Sequence, residues 1–336
     1  MEKILEKLCS VNSPSSSEEE IVKEIVKMLP KSCKAHTDSL GNLIVFKNPK
    51  NEEEKKVVVT ANLDEDGLMV TKINEDGSLN FQALGNLKNS NCLIGSVVSL
   101  NNKLDGIIVT KPVHLQTTEE RENQTKFEDL LIETGCKTKK EAETFIKLGD
   151  ILNFKNNFKK INENCYKSNF IGDMACCSVL IKLLQSETNF SFTAVFIAKE
   201  KAISNSSKTA AYFVKPALAI TLKPFNIIKN KDYKLENKIL APIYEEKLKH
   251  NENILNLLEE TAKENKISLE KLVLKNSRNL TALNIASSCS GVKTISLHIP
   301  HKKYHPNATI KKDNILNMFT LTKAFLEKIN NFNFSS

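Results

Sequence analysis

Residues 57–67, VVVTANLDEDG, constrain the fold more than any other segment of this chain. Residues 57–60 are a short β-branched apolar run with polar flanks, the pattern of a parallel strand buried on both faces. The run passes into Asn62-Leu63-Asp64-Glu65-Asp66-Gly67, so three carboxylates collect where the strand ends. Open α/β sheets place ligand sites at the carboxyl ends of their strands. The expectation is an α/β sheet with helices on both faces and an acidic site at this strand end.

The flanking periodicities agree. Ile4, Leu5 and Leu8 mark one amphipathic helix; Ile21, Val22, Ile25, Val26 and Leu29 mark a second, with Ser16 or Ser17 expected as its cap and glutamates in its first turn. Strands are expected near 35–46 and 57–62. Between about 68 and 165 the character changes to short strands, at 68–73, 79–82, 94–100, 106–110 and 150–154, separated by turn clusters such as Asn-Glu-Asp-Gly. Such spacing predicts a small inserted β-barrel. After about 167, helices and strands alternate again over 177–185, 190–198, 208–214, 218–222, 254–264, 291–299 and 313–330. The expected organisation is therefore a discontinuous α/β domain, 1–67 and 166–336, interrupted by a barrel domain at 68–165 that serves dimerisation or oligomerisation.

Composition excludes several function classes. The net charge of +8 is carried almost wholly by lysine, with Arg121 and Arg278 the only arginines. Arginine is the preferred reader of base edges and phosphate forks, and no basic-aromatic interleaving is present, so a solvated surface rather than a nucleic-acid face is expected. No apolar run approaches the roughly 20 residues needed to span a bilayer, and the start MEKILEKLCS lacks the apolar core of a signal peptide. A cytoplasmic protein is expected. The eight cysteines show no CxxC spacing, which reads as free thiols in a reducing compartment.

With His in place of Asn62, the acidic segment would read His-x-Asp-Glu-x-Gly. Residues 10–20 (SVNSPSSSEEE) precede it, and 106–119 (GIIVTKPVHLQTTE) and 211–220 (AYFVKPALAI) follow it, at matching separations. Together these segments resemble the tetrahedral metallo-aminopeptidases, the glutamyl and deblocking aminopeptidases of metallopeptidase family 42. The resemblance covers almost the whole chain. It implies an α/β peptidase sheet, the inserted β-barrel, and a co-catalytic pair of divalent metals held by His, a bridging Asp, Glu, Asp and His, beside a Glu general base. Two dications about 3.5–4 Å apart need anionic ligands to offset their repulsion.

Carried over residue by residue, the first ligand position is Asn62, whose amide is a poor zinc ligand beside an imidazole. Asp64 matches the residue that orients the family's His. The bridging position falls on Gly172, with Asp173 one residue late and able to approach through a local shift. The segment resembling Phe-Thr-x-Gln-Glu-Glu puts Glu200 on the general base and Lys201 on the ligand. The fourth ligand is Lys223, and the fifth, in Ile299-Pro300-His301-Lys302-Lys303-Tyr304-His305, is His305. Two ligands are reversed in charge, so no metal cofactor is expected; a zinc pair is implied only under the alternative reading of an active aminopeptidase.

Several readings stay open. Glu200 is a surviving general base or a structural partner of Lys201 or Lys223. The two lysines bind a peptide or small anion, or pair internally with Asp64, Glu200 or Asp173. His298, His301 and His305 invite a metal cluster, but ISLHIP reads as a strand end and their spacing as coincidence. The function expected is that of an inactive homologue, a binding or structural subunit that self-associates or co-assembles with an active homologue; the alternative is a metal-dependent aminopeptidase.

Overall fold

The computed structural model describes residues 1–48, 57–87, 90–100, 104–123, 125–188, 190–229, 238–275, 280–304 and 306–329. Four strands, Phe192–Ile197, Val57–Asn62, Leu218–Asn226 and Lys293–Lys303, lie side by side in parallel at the centre of a 12-stranded sheet. Leu43–Lys47 and Lys34–Thr37 extend it antiparallel on one side; Asn307–Lys311, Cys165–Asn169 and Lys159–Asn162 extend it on the other.

The apolar run at 57–60 is continuous because both faces of its strand are covered. Val57, Val59 and Ala61 pack with Leu5, Leu8, Ile21, Ile25, Met174 and Phe325, while Val58 turns to Val195, Ala210 and Val214. Alternate side chains thus serve two helical layers. The helix Ile171–Gln185 lies in the first layer and is buried nearly all round. Its carboxyl end would strand unpaired carbonyls. The buried Lys47 ammonium meets them, donating to Leu183 O at 2.9 Å, Leu184 O at 3.0 Å and Ser186 O.

Gly67–Ile73, Leu79–Leu84, Leu131–Glu133, Leu104–Val109, Val97–Leu100 and Ile151–Phe154 close, in that order, into an antiparallel barrel. Leu68, Phe81, Val98, Ile108, Ile132 and Phe154 fill it. Phe170 belongs to this core although it caps the helix Ile171–Gln185 with a left-handed backbone, φ 49°. Its ring lies 5.8 Å from that of Phe154. The barrel and the site-bearing helix therefore share one aromatic contact.

Some local expectations change. Residues 35–46 form two antiparallel strands, not one, because Asp38 accepts from the amides of Leu40 and Asn42 and closes a turn. The cap of the second helix, Glu19–Met28, is Glu18 rather than Ser16 or Ser17. Glu18 instead accepts from the amides of Ser16 at 3.0 Å and Lys199 at 2.8 Å, tying this loop to the site. The helix expected from 177 starts at Ile171, and the strand expected over 218–222 runs on to Asn226. The insert was expected over 68–165, yet Lys159–Asn162 pairs with Cys165–Asn169 in the large sheet, with Glu163-Asn164 as the hairpin turn between them. All eight cysteines are free, and Cys9, Cys136, Cys176 and Cys177 are buried. Among the described residues no helix is long and apolar enough to cross a membrane.

Candidate functional site

The acidic segment and the two lysines meet at the carboxyl ends of the parallel strands. Ile197 lies in register with Asn62, and Leu63 N donates to Ile197 O at 2.8 Å, which carries the pairing one residue past the strand. Asp64, Glu65 and Asp66 then enter the interior between the N-terminal loop and the barrel, each at most 4% exposed. The serine-rich loop is the wall on that side. Ser13 and Ser15 are fully buried; Ser13 Oγ donates to Leu63 O at 3.0 Å and Ser15 Oγ to Asp64 Oδ2 at 3.0 Å. Backbone bonds between Ser13, Ser15 and Glu65 fasten the same loop.

Lys201 turns into this acidic pocket. Its ammonium donates to the Asp64 main-chain oxygen and to Asp173 Oδ2 at 3.1 Å, while its backbone N–H donates to Asp64 Oδ2 at 2.6 Å. Burial works against the charge, but Asp173, Asp66 and Asp64 outweigh it and hold the ammonium above the ordinary lysine value. Burial pushes Asp64 up to about 7 and Glu65 up to about 8, in each case against the pull of Lys201. Asp64 Oδ1 and Glu65 Oε1 are buried without a hydrogen-bond partner.

Asp66 is held differently. Lys303 Nζ lies 3.1 Å from its Oδ2, and Asn86 N donates to its Oδ1 at 3.0 Å. Burial opposes the carboxylate, but Lys303 and Lys201 outweigh it and keep Asp66 well below its usual range. Gly85, at φ +97°, leaves the room: a Cβ there would run into Asp66 Oδ1. The Phe170 ring faces both cations, 4.9 Å from Lys303 Nζ and 5.9 Å from Lys201 Nζ.

Lys223 meets no carboxylate directly. Its ammonium donates to Asn62 Oδ1 at 2.6 Å and to Thr281 Oγ1 at 2.6 Å. Burial pushes it below the ordinary lysine value, countered only in part by Glu200 and more remote carboxylates. Thr281 passes the connection on, donating to Glu200 Oε1 at 3.1 Å. Glu200 also accepts from Ser207 N at 2.9 Å, Ser207 Oγ at 2.7 Å and Asn284 Nδ2 at 3.3 Å. A carboxylate so surrounded by donors has little lone-pair capacity left for abstracting a proton.

Gly172 sits against the end of the third central strand. A Cβ at this position would lie 2.6 Å from Pro224 Cβ and 3.3 Å from the His301 ring, so the backbone approach itself requires glycine. Asp173, one residue on, reaches the pocket through Lys201. His298 and His301 lie on the strand Lys293–Lys303, three residues apart and so on opposite faces. His298 instead joins Glu245, with Nε2 3.1 Å from Oε1, and His250 Nε2 lies 3.6 Å from the other carboxylate oxygen. His305 lies outside the described residues. Among the described residues no group of three or more His, Cys, Asp or Glu is placed to hold a metal ion.

The structure thus brings together Asn62, Asp64, Asp173, Glu200, Lys201 and Lys223. It adds Ser15, Phe170, Thr281, Asn284 and Lys303. A buried serine, threonine or asparagine carries no sequence signal for such a role; Lys303 was visible only as a second base in the segment ending at His305.

The M42 glutamyl aminopeptidase family profile matches residues 41–321, and the chain belongs to that family. It is similar to the lysyl aminopeptidase of Pyrococcus furiosus, 22% identical over 329 residues that span 94% of this chain and 92% of that one. The TET aminopeptidase of a marine sediment archaeon superposes with a TM-score of 0.89 at 20% identity, covering 98% of this chain and 97% of its own. The TET1 peptidase of Pyrococcus horikoshii, which can assemble into a tetrahedron or a large octahedral shell, superposes with a TM-score of 0.84 at 23% identity, over 96% and 98% of the two chains. At these identities the superpositions show the fold.

Proposed function

We propose that this aminopeptidase-family protein works without metal and without peptidase activity, as a binding or structural subunit of a symmetric assembly. The observation that carries this reading is the pair of buried ammonium groups. Lys201 Nζ bonds Asp173, one residue past the bridging position, and Lys223 Nζ bonds Asn62 at the first ligand position, so both lysines are satisfied within the chain. These donors do not fit two divalent ions. Asn62 offers an amide oxygen already accepting from Lys223, Gly172 has no side chain and no room for one, and both lysines present positive charge. At an effective dielectric of about 20, a dication about 4 Å from one ammonium would be repelled by about 8 kcal/mol, twice the interaction of two unit charges. Glu200 remains at the general-base position as a hydrogen-bonded anchor for Ser207, Thr281 and Asn284.

Assembly is proposed from the shells of the Pyrococcus horikoshii relative. Val97 and Ile107 are cross-strand partners on the barrel and stay 40% and 47% exposed, an apolar pair available for a second copy. Closed point-group symmetry is expected of such an oligomer.

Two measurements test the proposal. Protein purified without chelator should contain no stoichiometric zinc, cobalt or manganese and should leave aminoacyl chromogenic substrates intact. About two metal equivalents per chain with metal-dependent turnover would instead establish the aminopeptidase reading. Light scattering coupled to size exclusion should give a mass above the 37.7 kDa of one chain. A single species at the monomer mass over a wide concentration range would reject self-association.

A further inference from the structure

We propose that the acidic pocket is an ammonium site whose occupant is tethered, the Lys201 side chain, and that shortening this side chain opens the pocket to a small organic ammonium ion. The inference deepens the metal-free reading above and rests on it.

Three independent features point to an ammonium rather than to an incidental ion pair. First, Lys201 Nζ donates to two oxygens of different origin, the Asp64 carbonyl and the Asp173 carboxylate, as a compact cation does when oxygens converge on it. Second, the acids outnumber the bases. Asp64, Glu65, Asp66 and Asp173 face Lys201 and Lys303: four carboxyl groups on buried residues against two ammonium groups on side chains 13% and 16% exposed. Asp64 Oδ1 and Glu65 Oε1 remain without a hydrogen-bond partner there. Removing Lys201 would leave Lys303, already bound to Asp66, as the one lysine of this group. Third, the wall of the pocket is aromatic. Phe170 turns its ring to Lys201 and Lys303 from a left-handed backbone that few phenylalanines adopt. Ring faces attract alkylammonium ions, whereas a small divalent ion requires oxygen ligands on all sides.

The anchoring of Lys201 makes the tether selective. Its own amide is held by Asp64 Oδ2, so truncation beyond Cβ leaves the backbone bond in place and vacates only the ammonium and its stem.

The test compares wild type, Lys201→Ala and Lys201→Met by thermal melting in ethylammonium chloride, against sodium chloride at equal ionic strength and against zinc chloride. Lys201→Ala should melt roughly 5 °C or more below wild type, because it leaves buried carboxylates without their cation. Ethylammonium should restore part of that loss saturably in Lys201→Ala alone; Lys201→Met, whose side chain fills the pocket, should not respond. No saturable recovery, recovery shared with Lys201→Met, or recovery by zinc alone would overturn the proposal. A metal found in the wild-type protein would instead overturn the proposed function, so the two failures are separable. Should Lys201→Ala not fold, the wild type decides by itself. An enclosed ammonium predicts a 1H–15N cross-peak for Lys201 Nζ that survives solvent exchange at neutral pH. An Nζ exchanging as fast as those of surface lysines overturns the proposal.

Discussion

Lys201 follows the strand Phe192–Ile197 and Lys223 lies within the strand Leu218–Asn226, on either side of Val57–Asn62, and their surroundings act on them in opposite directions. Lys201 is bonded to Asp173 with Asp64 and Asp66 nearby, and the carboxylates outweigh its burial. Lys223 is bonded to an amide and a hydroxyl, and burial outweighs its distant carboxylates. Burial alone therefore does not decide the state of an interior lysine. Direct contact with charge does, while dipoles satisfy its hydrogens without matching its charge.

The largest effect should come from deleting the two amines separately. Lys201→Met leaves Asp173 and the Asp64 carbonyl without their donor in a buried place, and should cost about 3–5 kcal/mol. Lys223→Met leaves only neutral partners, Asn62 and Thr281, and should cost about 1–3 kcal/mol. Urea unfolding of both variants checks the order. If Lys223→Met proves the more damaging, the contrast between a charge partner and dipole partners is wrong.

The pH profile sharpens the same contrast from the side of the acids. Asp64 and Glu65, raised to about 7 and about 8, keep protons in the folded chain that the unfolded chain has already released. Stability should therefore fall as pH rises from about 4 towards 8, by at most about 1.4 kcal/mol per unit for each group. Asp66 has the opposite sign: its depressed value contributes stability above the unfolded carboxylate range that is lost in stronger acid. A maximum near pH 4–5 is the expected outcome. Glu65→Gln should flatten the decline towards pH 8 in chemical denaturation, and an unchanged slope would show that Glu65 is already ionised at neutrality.

Much of the architecture was readable because it rests on periodicity. The run at 57–60 indicated a strand covered on both faces, and the short strands after 67 indicated the barrel. What could not be read were arrangements that depend on distant strands arriving together. Thr281 joins Lys223 to Glu200 across 58 and 81 residues of sequence, and nothing in its neighbours marks it. Gly172 looked like a lost carboxylate; the structure adds that Pro224 already fills the space its side chain would need. Phe170 carries no mark in the sequence, and only the fold reveals that its ring faces two cations.

The smallest predicted effect isolates the dipole around Lys223. Thr281 accepts from Lys223 and donates to Glu200, so its hydroxyl links an ammonium to a carboxylate. Thr281→Val preserves shape and removes that link. Glu200 keeps three of its donors, Ser207 N, Ser207 Oγ and Asn284, and should hold its place. Lys223 keeps Asn62 but loses its second acceptor while staying buried. The cost should be near the value of one interior hydrogen bond, about 1 kcal/mol. The ammonium, now less well solvated, should titrate lower still, because every acceptor removed disfavours the charged form. A 15N titration of Lys223 Nζ in both proteins checks this. A downward shift in Thr281→Val with Lys201 unmoved would show the two lysines to be independent, one governed by charge and the other by dipoles. A joint shift of both would mean that the two halves of the site titrate as one network, and the contrast between them would have to be abandoned.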